Sequence, residues 1–154
     1  MRKTSFAGMN CSVAQTLEII GEWWTLLILR DCFLGIRRFD EFVERLGIAR
    51  NVLTSRLDTL VEAGILQRRV YDEGRGRYDY LLTDKGRALW PVLTAVRQWG
   101  DEWVLGEGNE PVVLEHKSCN HQTNAVMVCH HCHEPLDARS VRVRPGPGDR
   151  ATAP

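Results

Sequence analysis

Histidine and cysteine side chains, the residues best suited to metal and thiol chemistry, are concentrated in one segment of the chain. All five histidines and three of the five cysteines lie within residues 116–133. A Cys-x-His pair is followed there by seven residues and then by a Cys-x2-Cys pair. Close pairs of thiolate and imidazole groups on turns are the usual ligands of tetrahedral zinc. The spacing predicts a zinc site with the ligands Cys119, His121, Cys129 and Cys132.

The choice of ligands in this segment stays open, because the first pair is one residue tighter than zinc pairs usually are. Three further histidines could substitute: His130, His131 and His133. A metal-free hairpin and a second redox site are the alternatives to zinc.

Cys11 is a second candidate for chemistry, because it directly precedes a predicted helix. A thiol at a helix N-terminus is more readily deprotonated to the reactive thiolate, since the helix dipole favours negative charge there. Cys11 is therefore predicted to be either a redox sensor or an inert, half-buried cysteine. Cys32 lies within an apolar helix and is predicted to be a packing residue.

Apolar periodicity predicts the helices that position these residues. Residues 12–34 are predicted to form two consecutive helices that are interrupted at Gly21 and buried on most sides. A short amphipathic helix is predicted over residues 39–46, followed by a glycine-containing turn and a longer helix over residues 49–63. A short helix, a turn and a longer helix are the elements of a helix-turn-helix.

A β-hairpin is predicted after the second of these helices. Its strands cover residues 65–71 and 77–82, and the loop between them contains two glycines. Residues 84–105 are predicted to form one long helix, which Pro91 kinks. The fold class is therefore mainly α with a β-hairpin wing (α+β), a winged helix-turn-helix.

This architecture predicts a surface that reads double-stranded DNA. The second helix would enter the major groove and the wing would contact the flanking backbone or minor groove. Arginine and asparagine can pair with base edges, while threonine and serine can reach phosphates. The candidate contacts are Arg37 and Arg38 before the short helix, Arg50, Asn51, Thr54, Ser55 and Arg56 in the second helix, and Arg75 and Arg77 in the wing. An ordinary solvated surface is the alternative for each single residue.

A homodimer is predicted from the tryptophans of the long helix. Trp90, Trp99 and Trp103 exceed what the interior of a 154-residue winged helix could cover. The N-terminal helix over residues 13–20 is the expected partner in the seam. Two recognition helices related by a twofold axis would then read half-sites about 34 Å apart.

Composition and charge set the remaining expectations. The formal net charge is zero, so the chain lacks the global basic character of a histone-like protein. The start of the chain resembles no signal peptide, and its longest apolar stretch is too short to span a bilayer. A cytoplasmic location with no membrane partner is expected, and the cysteines are expected to be free of structural disulfides.

The sequence also predicts how the chain is divided. Residues 1–10 are expected to form an arm, residues 11–106 the DNA-binding and dimerisation domain, and residues 107–144 a Cys/His tail with a zinc-ribbon-like hairpin. The Pro/Gly-rich residues 145–154 are expected to be disordered.

Five stretches resemble the HxlR family of bacterial regulators over roughly residues 11–105. They are Cys11-Ser12-Val13, GEWWTLLILRD (21–31), RRFDEF (37–42), VLTSRLDTLVEAGILQRRVY (52–71) and YLLTDKGRAL (80–89). The resemblance implies a dimeric winged-helix repressor or activator that responds to an electrophile, an oxidant or a small metabolite. It also implies a sensor role for Cys11, although the family often has proline where this chain has Ser12.

The sequence contains none of the signatures of the common enzyme classes. It shows no Ser/His/Asp order, no phosphate-binding loop and no paired carboxylates. The leading prediction is a sequence-specific transcription regulator that needs no cofactor to bind DNA. The alternatives are a winged-helix module that binds proteins, or a thiol or zinc redox sensor without direct DNA binding.

Overall fold

The computed structural model describes residues 5–72, 74 and 76–149 and divides into two compact units, one up to Leu93 and one from Thr94. The elements of the first unit are α1 (Ser12–Ile20), α2 (Trp23–Phe33), α3 (Phe39–Leu46), α4 (Arg50–Glu62), β1 (Leu66–Asp72), β2 (Arg77–Leu82) and α5 (Asp84–Arg87). The helix α6 (Trp90–Gly100) continues as a π-helical segment (Asp101–Leu105), and β3 (Leu114–His116) and β4 (His121–Thr123) follow. None of the helices in the described residues is long and apolar enough to cross a membrane.

The core of the first unit is built around one face of α4. Leu53, Leu57 and Leu60 are each 0% exposed, and they pack in one cluster with Phe42 of α3 and Ile28 of α2. The three leucines follow the i, i+4, i+7 spacing that places side chains on one side of a helix. Because this side is fully buried, the opposite side of α4 must face outward.

The predicted helices α1 to α4 are confirmed, with one difference in burial. Gly47 ends α3 with a φ of 61°, a left-handed conformation that glycine adopts without strain. The segment of α2 is buried or half-buried on most sides, as the sequence predicts. The difference is one exposed stripe, formed by Trp23, Leu27 and Arg30, in which Trp23 is 83% exposed.

The wing is an antiparallel hairpin in which Leu66 pairs with Leu82 and Val70 with Tyr78. The chain before α3 joins its edge, because the amide of Tyr80 donates to the Arg37 carbonyl at 2.8 Å. The loop residue Arg75, a predicted DNA contact, lies outside the described residues.

Asp79 of β2 anchors this junction from a nearly buried position. It is 7% exposed, and its carboxylate lies 2.9 Å from Arg69 Nη2 and 3.6 Å from Arg38 Nε. The hydrogen bond from Arg69 lowers the pKa of Asp79, and the positive charges of Arg38 and Arg37 lower it further. One carboxylate thus fixes one arginine of the wing and one arginine of the segment before α3.

The prediction of one continuous helix over residues 84–105 is wrong. The helix α5 ends at Arg87, and α6 begins separately at Trp90. Pro91 therefore lies in the first turn of α6, where the missing N–H of proline has no intrahelical partner to lose. Proline takes part in starting a helix here and does not kink a longer one.

The second unit holds the tail, which has little structure beyond short hairpins. The strands β3 and β4 pair antiparallel, with Leu114 opposite Thr123 and His116 opposite His121. A further bridge joins Val128 to Pro135. Residues 141–149 form neither helix nor strand. The expected disorder of residues 145–154 stays a prediction, and residues 150–154 lie outside the described part of the chain.

We expect the stability of the wing junction to depend on the ionised form of Asp79. The pKa of Asp79 is lower in the folded protein than in the unfolded chain, where it is about 3.9. The stabilisation that ionised Asp79 provides is therefore complete above the unfolded pKa and is lost as the pH falls through the folded pKa. Below about pH 5, the free energy of unfolding of the wild type should therefore fall more steeply than that of Asp79→Asn. Urea unfolding followed by tryptophan fluorescence at several pH values measures both slopes.

The control variant for this experiment is Asp84→Asn. Asp84 also pairs with an arginine, Arg87, but its side chain is 98% exposed. Exposed pairs contribute little, so this variant should keep the wild-type slope. Equal slopes for all three proteins would contradict the anchoring role of Asp79.

Candidate nucleic-acid interface

The outward face of α4 carries four of the predicted DNA contacts. Arg50, Asn51, Thr54 and Ser55 are all exposed, on the side away from the buried leucines. Asn51 makes no side-chain hydrogen bond to any of the described residues. The Thr54 hydroxyl donates to the Arg50 carbonyl at 2.9 Å. Residues at the start of such a helix are the ones that reach base edges in a major groove.

Arg50 is held in place by two residues of α3. Its Nη1 lies 2.9 Å from Asp40 Oδ1, and its guanidinium carbon lies 4.8 Å from the centre of the Phe39 ring. Its side chain is nevertheless 66% exposed. The short helix therefore orients an arginine of the longer helix and leaves the guanidinium accessible. The sequence alone gives no sign of this role for Asp40 and Phe39, because their contact with Arg50 depends on how α3 packs beside α4.

Arg56 is less exposed than the four residues of this outward face. Its side chain is 21% exposed, its Nη1 lies 3.8 Å from Glu22 Oε1, and its Nη2 donates to Ser55 Oγ at 3.1 Å. The position directly precedes the buried Leu57, so the side chain leaves α4 toward the start of α2. Arg56 therefore lies at the margin of the outward face, between Ser55 and Glu22, and its contact with DNA stays a prediction.

Exposed arginines also lie in and beside the wing. Arg37 and Arg77 are exposed, and the Arg38 guanidinium carbon lies 4.6 Å from the centre of the Tyr71 ring. Arg68 and Arg69 of β1 are also exposed, although neither is among the contacts predicted from the sequence. The adjacent Arg-Arg pair in a predicted wing strand was the signal that could have identified them.

Arg68 links the wing to α4. It forms an ion pair with Asp58 of α4 and lies over the rings of Tyr78 and Tyr80, at 5.7 and 5.8 Å from their centres. The wing and α4 are therefore connected by a charged contact as well as by the core.

Cys11 and Cys32 occupy opposite environments. Cys11 is exposed and precedes α1 in an extended conformation, where its carbonyl accepts from the Gln15 amide at 3.0 Å. Burial, together with the negative charge of Asp31, raises the pKa of Cys32 to about 12. Cys32 is therefore a protonated thiol at neutral pH, as expected of a packing residue.

The four predicted zinc ligands do not meet at one point. Cys119 Sγ lies 3.3 Å from His116 Nδ1, whereas His121 Nδ1 bonds the Cys119 carbonyl at 2.7 Å. Backbone amides of Cys132 and His131 donate to Cys129 and lower its pKa. Within the described residues, no three His, Cys, Asp or Glu side chains are placed to share a metal ion. Zinc binding by the tail stays a prediction.

Comparison with known proteins identifies the family of the chain. The family described as HxlR-like helix-turn-helix matches residues 19–107, more than half of the chain. An uncharacterized HTH-type transcriptional regulator of Mycobacterium tuberculosis is 43% identical over 140 residues, covering 91% of this chain and 89% of that protein. Another, from Synechocystis sp., is 35% identical over 108 residues, covering 70% of this chain and 80% of that protein.

Solved structures give the same result. The crystal structure of PA1607, a candidate transcription factor, superposes with a TM-score of 0.80 at 40% identity, covering 92% of this chain and 99% of that chain. The redox regulator HypR in its reduced form superposes with a TM-score of 0.55 at 33% identity, covering 58% of this chain and 90% of that chain. These relatives are regulators and not enzymes. The chain therefore belongs to the HxlR-like helix-turn-helix family of DNA-binding transcriptional regulators.

Proposed function

We propose that the protein binds its operator as a homodimer, with α4 in the major groove and the wing on the flanking backbone, and that modification of Cys11 changes this binding. The observation that carries the DNA-binding mode is the outward face of α4. Four polar residues that can contact DNA share the side opposite three fully buried leucines.

The chemistry of this face suits sequence-specific readout. Arg50 offers a planar, bidentate donor for guanine, and Asn51 offers the donor and acceptor pair that matches adenine. Arg37, Arg68 and Arg77 offer positive charge for phosphates on either side of the groove. Specific contacts would come from α4, and salt-dependent contacts from the wing and the segment before α3.

The proposed dimer seam is an apolar stripe along α6 and the π-helical segment that continues it. Val92, Val96 and Trp99 of α6 and Trp103 of the π-helical segment are all exposed, at positions that recur on one side of a helix. Exposed apolar patches with several aromatic rings mark association surfaces. The exposed Val13 and Leu17 of α1 supply a second apolar surface for the same dimer.

The proposed effector is an electrophile or an oxidant that reacts with Cys11 in the cytoplasm. Cys11 is exposed directly before α1, and α1 is the helix that we place in the dimer seam. An adduct there would lie beside the partner subunit and could change the spacing of the two recognition helices. This choice of effector is supported by the structural neighbour HypR. HypR is described as a redox regulator, and its structure is known in a reduced and an oxidised form.

Arg50→Ala and Asn51→Ala should each weaken operator binding by about 1–3 kcal/mol, because each removes a base contact. The operator is first selected from genomic fragments, and affinity is then measured by fluorescence anisotropy on the operator and on a scrambled duplex. Thermal stability should hardly change, since both residues are exposed.

Two further variants make this experiment decisive. Glu62→Ala, at the far end of α4, should keep the wild-type preference for the operator. Arg77→Ala should weaken binding to both duplexes alike and reduce the salt slope by about one. If neither Arg50→Ala nor Asn51→Ala reduced the preference for the operator, α4 would not be the recognition helix.

The double variant Val96→Asp/Trp99→Asp should be a monomer by sedimentation velocity at concentrations where the wild type is a dimer. Burying two carboxylates in an apolar seam is costly, so the subunits should separate while their helical circular dichroism remains. Val143→Asp, a charge placed at an exposed tail valine, is the matched control and should stay dimeric. A double variant that stays dimeric would place the interface elsewhere.

Treatment with a quinone or a mild oxidant should weaken operator binding by the wild type and leave Cys11→Ser unaffected. Mass spectrometry of the treated protein should find the modification on Cys11. Equal loss of binding in both proteins would move the sensor to another thiol, with the tail as first choice. A wild type that reacts at Cys11 and still binds its operator unchanged would refute the sensor role.

A further inference from the structure

Two turns of the tail have the same backbone geometry. In the first, the Asn120 amide donates to the His116 carbonyl at 2.8 Å, and in the second the His133 amide donates to the Cys129 carbonyl, also at 2.8 Å. Asn120 has a φ of 55° and His133 a φ of 62°, and no other non-glycine residue in the described chain has a positive φ. Each turn therefore has the same hydrogen bond from its fifth residue to its first. In each turn the fourth residue directly precedes the residue with the positive φ.

In the first turn the first and fourth residues are His116 and Cys119. Cys119 Sγ lies 3.3 Å from His116 Nδ1, and Ser118 Oγ lies 3.0 Å from Nε2 and 3.3 Å from Nδ1 of the same ring. The thiol and the imidazole of this turn are therefore neighbours, and the Ser118 hydroxyl contacts the ring as a residue that orients a metal-binding histidine would. His121 differs, because it lies in β4 and its Nδ1 already bonds the Cys119 carbonyl at 2.7 Å.

In the second turn the equivalent positions hold Cys129 and Cys132. The turn is closed by the Cys129 amide, which donates to the Glu134 carbonyl at 2.8 Å, and by the bridge between Val128 and Pro135. Two cysteines that are separated by two residues in a closed turn have the spacing of a zinc-binding pair. The second turn is therefore a prepared pair of sulfur ligands.

The tail lacks what usually stabilises a small ordered segment. None of the described residues from 106 to 149 is buried, so the two hairpins have no apolar core of their own. All of its cysteines are free, so no disulfide joins the turns. Segments too small to bury a core are commonly stabilised by disulfides or by a structural metal.

We propose that His116, Cys119, Cys129 and Cys132 together bind one zinc ion that joins the two turns of the tail. Three sulfurs and one imidazole form a common ligand set of structural zinc. On binding, three thiols release their protons to solvent and the imidazole coordinates in its neutral form, which leaves the site with a net charge of minus one. Sulfur ligands exclude magnesium and calcium, which prefer oxygen.

The two pairs do not converge in the structure, so the metal must draw the turns together. The nine residues that separate Cys119 from Cys129 can span up to roughly 30 Å, more than enough to let the turns meet. The middle of this segment is fixed, because the Gln98 side chain exchanges two hydrogen bonds of 2.9 Å with the Ala125 backbone. Both turns are thereby tethered to one point of α6.

Titration of the reduced, metal-free, full-length protein with Co²⁺ tests the site. The expected result is a tetrahedral d–d spectrum with thiolate charge-transfer bands that saturates at one Co²⁺ per chain and is bleached by Zn²⁺. Zn²⁺ should also protect three thiols from alkylation. Saturation at one ion per two chains, or an octahedral spectrum, would overturn the proposal.

Variants separate His116 from His121 as the fourth ligand. His116→Ala and Cys129→Ser each remove a ligand and should weaken Zn²⁺ binding by at least about 100-fold. Ser118→Ala removes only a residue that orients a ligand and should weaken Zn²⁺ binding by about 10-fold. His121→Ala is the matched control and should bind Zn²⁺ like the wild type. Weakened binding in His121→Ala with normal binding in His116→Ala would overturn the ligand set. Operator binding by each variant shows whether the first unit remains folded.

Discussion

The burial of one face of α4 is the constraint on which the rest of the DNA-reading unit depends. Leu53, Leu57 and Leu60 have no exposed surface, so α4 cannot rotate about its axis without bringing leucine into water and polar side chains into the core. Each fully buried leucine is worth roughly 1.5–3 kcal/mol relative to an exposed one. The packing of the leucines alone therefore places Arg50 and Asn51 on the outward side of α4.

Acidic residues have a structural role in positioning several of the exposed arginines. At the wing junction, Asp79 pairs with Arg69 and Arg38, and its side chain is 10% exposed while those of the two arginines are 60% and 55% exposed. The carboxylate therefore orients two guanidinium groups that still reach solvent. Asp40 pairs with Arg50 in the same way, but there both side chains are equally exposed.

The sequence predicted the elements better than it predicted the contacts between them. Glycines at positions 21 and 47 interrupt a clear apolar period, so the bounds of α1 to α4 could be read to within about a residue or two. Pro91 was ambiguous, because proline both kinks helices and starts them. The pairing of Arg56 with Glu22 joins two helices that are distant along the chain, and periodicity within one helix carries no information about such a contact.

The five cysteines differ in what their surroundings permit, and this separates two kinds of thiol chemistry along the chain. Cys32 is protonated at neutral pH because it is buried, so it cannot act as a nucleophile. The tail cysteines come in turns that suit a metal. Cys11 is the exposed thiol of the unit that contains α4, and it precedes a helix whose last residue, Ile20, belongs to the core cluster of α4. A displacement of α1 would therefore act on the packing that fixes the direction of α4, the helix that we propose to read DNA.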